Sequence, residues 1–200
     1  MEDNIRSVQA VFKRAGGTLR MAEALRQGVS RRTLYAMRDA GIVERISRGV
    51  YRLSELEPLG NPDLMIVAMR VPKGVICLIS ALSFHDLTTQ IPHEVSVAIE
   101  RGAQTPRIDH PPIRFYRFSG KAFDTGVELH AIDGVKVRIY SSEKTVADCF
   151  KYRNKIGLDV ALEALRNWRA RKGANLDALL EMARACRVEE VLRPYLQALV

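Results

Sequence analysis

The stretch Ser30-Arg31-Arg32-Thr33-Leu34-Tyr35-Ala36-Met37-Arg38-Asp39-Ala40-Gly41, followed at once by Ile42-Val43-Glu44-Arg45-Ile46-Ser47-Arg48-Gly49-Val50-Tyr51-Arg52-Leu53, changes its hydrophobic period midway. In the first half Leu34 and Met37 recur at helical spacing behind Ser30, whose hydroxyl suits an N-cap, and Gly41 stands where a helix ends in a left-handed residue. In the second half the β-rich runs Ile42–Ile46 and Val50–Leu53 flank Ser47-Arg48-Gly49, which has the composition of a tight hairpin. The reading is a helix, Arg31 to Ala40, feeding directly into a small two-stranded wing.

Upstream, Ile5, Val8, Val11 and Phe12 share one helical face, and Gly16-Gly17 breaks the segment. Thr18 is then expected to cap a second helix running through Leu25, with Leu19, Ala22 and Leu25 on its inner face, before the turn at Gln27-Gly28. Helix, helix-turn-helix and hairpin in that order predict a winged helix over residues 1–54.

Downstream, Glu55, Glu57, Pro58, Gly60 and Asn61 bring an acidic shift and turn residues, so residues 55–61 are expected as a linker and 62–200 as a second domain. Pro62 suits the first position of a helix to Arg70, and Val75–Ile79 is a β-branched run before a short helix beginning near Ser80. Val95–Ile99, Ile113–Phe118 and Val135–Tyr140 alternate as strands, the last entered through the turn Asp133-Gly134. Helical periodicity then covers Ser142–Tyr152, Asp159–Arg171, Leu176–Ala185 and Val188–Leu199, with Pro194 as a kink or break. The fold class expected is α+β: an N-terminal winged helix-turn-helix plus a mixed α/β domain with an antiparallel or mixed sheet and C-terminal helices.

The 200 residues carry 31 Lys and Arg against 23 Asp and Glu, a net charge of +8. Six of those arginines, at 31, 32, 38, 45, 48 and 52, fall between residues 31 and 52, opposed only by Asp39 and Glu44. A polyanion is the natural partner of such a focus, because cations placed at phosphates release condensed counterions. Helical spacing puts Arg31, Arg32, Tyr35 and Arg38 on the surface that Leu34 and Met37 do not claim, where arginine can bind guanine bidentately and tyrosine can reach a phosphate. Arg48 at the hairpin tip would address the backbone or minor groove, with Arg45 and Arg52 in support. Double-stranded DNA is therefore the expected partner. An interaction or RNA-binding module built on a winged-helix scaffold is the alternative that the same residues allow.

Three blocks carry a family resemblance. Gly17-Thr18, Val29-Ser30-Arg31-Arg32-Thr33-Leu34 and Gly41 through Tyr51 resemble the N-terminal domain of AbiEi-type antitoxins of type IV toxin–antitoxin systems. Ser80-Ala81-Leu82-Ser83-Phe84-His85-Asp86-Leu87-Thr88 with the strand Val95–Ile99, and Tyr140-Ser141-Ser142-Glu143-Lys144-Thr145-Val146-Ala147-Asp148, extend it to about residues 5–155. The resemblance implies a transcriptional autoregulator that represses its own promoter and counteracts a nucleotidyltransferase toxin encoded beside it.

Other chemistries find little footing. Ser83, His85 and Asp86 are neighbours on a helix and diverge, whereas a catalytic triad converges. The chain has no Asp/Glu-x-Lys, the four histidines stand apart, and Cys77, Cys149 and Cys186 form no C-x-x-C, so neither a metal nor another cofactor is expected. The cysteines, set in apolar surroundings, are expected as buried reduced thiols, and a cytoplasmic location is expected from them, from the acidic start Met1-Glu2-Asp3-Asn4 and from the lack of any apolar run of membrane-spanning length. A second basic region runs from Lys144 to Lys172, with Trp168 beside it; a solvated helix face and a surface for nucleic acid or an acidic partner are both open readings.

Overall fold

The computed structural model describes residues 2–198, with the side chains of residues 2–4 excepted. The chain divides into two compact units, Met1–Pro72 with Ala131–Val137, and Lys73–His130 with Arg138–Val200.

In the first unit α1 (Glu2–Arg14) leads into β1 (Thr18–Arg20), α2 (Met21–Arg26), α3 (Arg31–Asp39), β2 (Val43–Ser47), β3 (Val50–Leu53) and α4 (Pro62–Arg70). Val8, Val11 and Phe12, at i, i+3 and i+4, turn one stripe of α1 into a core shared with Leu34 and Met37 of α3 and with Val43, Tyr51 and Leu53 of the wing. Ser30 caps α3 by accepting from the Thr33 amide at 3.0 Å, and Gly41, at φ 70°, ends it as a left-handed residue. The wing is antiparallel, with Ser47 opposite Val50 across a two-residue turn in which Gly49 takes φ 74°.

The sequence reading fails at Thr18. Residues 18–20 extend as a third strand, pairing Thr18 with Arg52 and Arg20 with Val50, so the sheet has the order β1-β3-β2. Thr18 therefore caps nothing, and the second helix starts only at Met21, whose amide donates to the Gly49 carbonyl at 2.8 Å. Its inward residue is Ala24, whereas Ala22 is exposed. Three residues are too few to show an alternation, and the pairing partner lies thirty residues away, so local periodicity carried no sign of the strand.

The first unit also reaches further along the chain than residue 54. It takes in α4 and the hairpin tip at 131–137. The Asp133 carboxylate accepts from the Gly60 and Asn61 amides, each at 2.9 Å, and Gly16 and Gly134 approach so closely that a Cβ on Gly16 would stand 2.6 Å from the Gly134 carbonyl oxygen.

The second unit holds β4 (Val75–Ile76), α5 (Leu78–Phe84), β5 (Val95–Glu100), β6 (Ile113–Phe118), α6 (Lys121–Asp124), β7 (Val127–Ile132) and β8 (Val135–Tyr140) apart from their tip at 131–137, α7 (Ser142–Lys151), α8 (Arg153–Ile156), α9 (Leu158–Arg169), α10 (Leu176–Cys186) and α11 (Glu189–Ala198). Its sheet is mixed, in the order β6-β5-β4-β8-β7, with β4 antiparallel to β5 and parallel to β8, and β5 parallel to β6. The helix after β4 begins at Leu78, two residues before its expected start near Ser80, and Pro194 is accommodated inside α11. Leu199, the expected end of that helix, lies outside the described residues.

Leu82, Tyr140, Phe150, Leu165, Trp168 and Leu179 fill one core between sheet and helices. Within it lies a buried ion pair, Lys144 with Asp148 one turn on, the ammonium also 4.0 Å from the centre of the Tyr140 ring. Asp148 accepts in addition from the Cys186 thiol at 3.1 Å, and burial pushes its carboxyl above the usual range against the pull of Lys144. All three cysteines are free and buried.

Candidate nucleic-acid interface

The residues expected to face DNA start from α3. Leu34 and Met37 are fully buried, which turns Arg31, Arg32, Tyr35 and Arg38 outward, and all four are exposed. Arg38 lies 5.2 Å from the Tyr35 ring centre and pairs with Asp39 at 2.6 Å, a carboxylate that raises its pKa further and holds the guanidinium along the helix end. Arg31 and Arg32 occupy the first turn, directly behind the Ser30 cap. Arg45 and Arg48 are exposed on the wing.

Arg52 belongs elsewhere, and its expected role in support of Arg48 is corrected. Its side chain is 8% exposed and lies 3.6 Å from Glu44, while its two terminal nitrogens donate to the Leu56 and Glu57 carbonyls. Arg52 thus ties the wing to the segment that follows it. The sequence showed only its place in the basic stretch, whereas the return of residues 55–57 brings the Leu56 and Glu57 carbonyls onto its guanidinium.

Two arginines that the sequence reading passed over come in. Arg20, at the end of β1, and Arg70, at the end of α4, join Arg31 and Arg48 around one cleft of about 370 Å³ between the start of α3 and the wing tip. Arg70 donates to the Arg48 carbonyl at 2.6 Å, and the Met21 amide holds the neighbouring Gly49 carbonyl. The two residues of the wing turn are therefore each held through their own backbone carbonyl by a donor from outside the hairpin. Neither Arg20 nor Arg70 had a local signal: one sits in the unrecognised strand, the other beyond the expected linker.

Of the constellation set aside in the sequence, the histidine is engaged elsewhere. His85 shares a hydrogen bond with the Tyr140 carbonyl at 2.7 Å through Nε2, which makes that nitrogen the donor, and burial lowers its pKa below the ordinary histidine value. Asp86 is exposed in a left-handed conformation at φ 52°. Trp168 is core, its indole N–H donating to Glu143 at 3.0 Å, and in the basic region Lys144 is buried while Lys151 and Arg153 donate to the Cys186 and Phe150 carbonyls.

A helix capped by serine, a three-stranded sheet and a braced wing with arginines on both sides of one cleft define a winged helix-turn-helix. Residues 6–54 match the family model described as transcriptional regulator, AbiEi antitoxin, so this segment is similar to the winged helix of that regulator family. Among solved structures, the RV2827C protein from Mycobacterium tuberculosis shares the fold at a TM-score of 0.54 and 10% identity, over 96% of this chain and 80% of that one. No curated protein matches the chain. Among the described residues no helix is long and apolar enough to cross a membrane.

Proposed function

We propose that this protein is an autorepressing antitoxin of a type IV toxin–antitoxin operon, which binds its own promoter as duplex DNA and counteracts a nucleotidyltransferase toxin. The observation that carries the DNA half is the cleft at which Arg20, Arg31, Arg48 and Arg70 converge from four separate elements. Arg20, Arg31 and Arg48 present cations on this concave surface while Arg70 braces the wing, and a duplex backbone supplies a row of anions to meet them. In this reading α3 enters the major groove with Arg31 and Arg32 at base edges, Tyr35, Arg38 and Arg45 lie along the phosphates, and Arg48 takes the backbone or minor groove.

The antitoxin half rests on the match of residues 6–54 to that regulator family. Gel shifts with the chain's own promoter against random duplex, at two salt concentrations, test the first half. Equal affinity for both duplexes would end the repressor reading. Co-expression with the neighbouring nucleotidyltransferase-class gene tests the second, and persistent growth arrest would end the antitoxin reading.

A further inference from the structure

In the second unit β6 is an edge strand, bonded only to β5. The Val95 amide donates to the Pro112 carbonyl and the Arg101 amide to the Phe118 carbonyl, so the even-numbered residues of this stretch turn their backbone toward β5. Strand geometry then turns the backbone groups of Ile113, Phe115 and Arg117 outward. The Tyr152 hydroxyl, which donates to the Arg117 carbonyl at 3.0 Å, marks the same outward side and closes that end of the edge.

A trough of about 720 Å³ runs along this edge. Consecutive strand residues line it together, which alternating side chains permit only where the shared wall is the strand's own margin. Arg101, Arg114, Arg117 and Lys155 surround it and all four are exposed. Arg114 is steadied by Glu94 at 3.0 Å and Arg117 by the Ala103 carbonyl at 2.9 Å, each keeping further guanidinium N–H groups for a ligand.

From these features we infer that β6 accepts an extended acidic peptide of a partner protein as an added strand, with carboxylates on the four cations. An open edge is a hazard that charge controls: two copies of a cationic edge repel, whereas an acidic strand meets both the unpaired backbone groups and the charge. Nucleic acid would use the cations alone and leave the outward amides without a periodic partner. This inference is independent of the duplex-binding reading, which concerns the first unit.

The full-length protein is titrated with a fluorescein-labelled heptapeptide of alternating valine and glutamate, and with the same peptide N-methylated at alternate amides. The acidic peptide is expected to bind and to slow hydrogen exchange at the Ile113, Phe115 and Arg117 amides, with N-methylation weakening it about tenfold or more. Phe115→Pro, which removes an outward donor and no bond to β5, is expected to weaken the peptide similarly, and the double variant Arg114→Glu, Arg117→Glu to abolish binding. The inference fails if the acidic peptide does not bind, if the N-methylated peptide binds as well, if a heptamer of single-stranded deoxythymidylate binds more tightly, or if the edge instead pairs two copies in sedimentation.

Discussion

The Arg70 guanidinium donates to the Arg48 carbonyl at 2.6 Å, joining the last turn of α4 to the tip of the wing. A residue beyond the family-matched segment therefore sets the conformation of one within it. Arg70→Leu is expected to weaken promoter binding several-fold while the wing residues themselves remain unchanged, and Arg70→Lys to restore it in part, because one donor suffices for the carbonyl. Titration of both variants by fluorescence anisotropy measures this.

Arg48→Ala and Arg32→Ala are expected to differ in kind. Removing a backbone contact at the wing tip lowers affinity nearly uniformly across sequences and reduces the salt slope by about one unit. Removing a first-turn arginine from a guanine costs about 1–3 kcal/mol of discrimination and flattens the preference for cognate over altered operators. Single-base operator variants at two salt concentrations separate the two, and a shift in base preference from Arg48→Ala alone would reverse the roles.

The buried pair of the second unit sets a stability expectation. Lys144→Met leaves Asp148 without its cation in the core and is expected to cost about 3–5 kcal/mol, whereas Lys144→Met with Asp148→Leu recovers much of that loss. Urea denaturation midpoints of the wild type, the single and the double variant make the comparison.

His85 gives a pH expectation whose sign follows from its lowered pKa. The unfolded chain binds a proton near the ordinary value of about 6.5, before the folded one does, so this contribution is full above that pH and is lost as pH falls below it. His85→Gln, which keeps a donor for the Tyr140 carbonyl, is expected to flatten the fall in melting temperature between pH 7.5 and about 5.5. An unchanged slope would show that other groups set it.

The winged helix was legible because its signals are local: Ser30, Leu34, Met37, Gly41 and the Arg48-Gly49 turn each act within a few residues. β5, β6 and β8 were legible for the same reason, as alternation over five or six residues. What escaped the sequence depends on pairing at a distance. Thr18–Arg20 become a strand through β3, Arg52 is covered by the returning chain at 55–57, and Arg20 and Arg70 meet Arg31 only in the fold. Charge alone could not tell Arg48, at the surface, from Arg52, bound to carbonyls.

The first unit takes in residues 131–137, and at Gly16 and Gly134 each lacks room for a methyl group because of the other. Such a module cannot travel between genes as a single cassette. A recombination crossover in the stretch 55–61 would carry away Gly16 while leaving behind Gly134, and with it the Asp133 carboxylate that receives the Gly60 and Asn61 amides. Lineages that exchange their winged-helix half would be forced to co-inherit this distant hairpin tip or to rebuild the surface it covers, so the two glycines should change together or not at all.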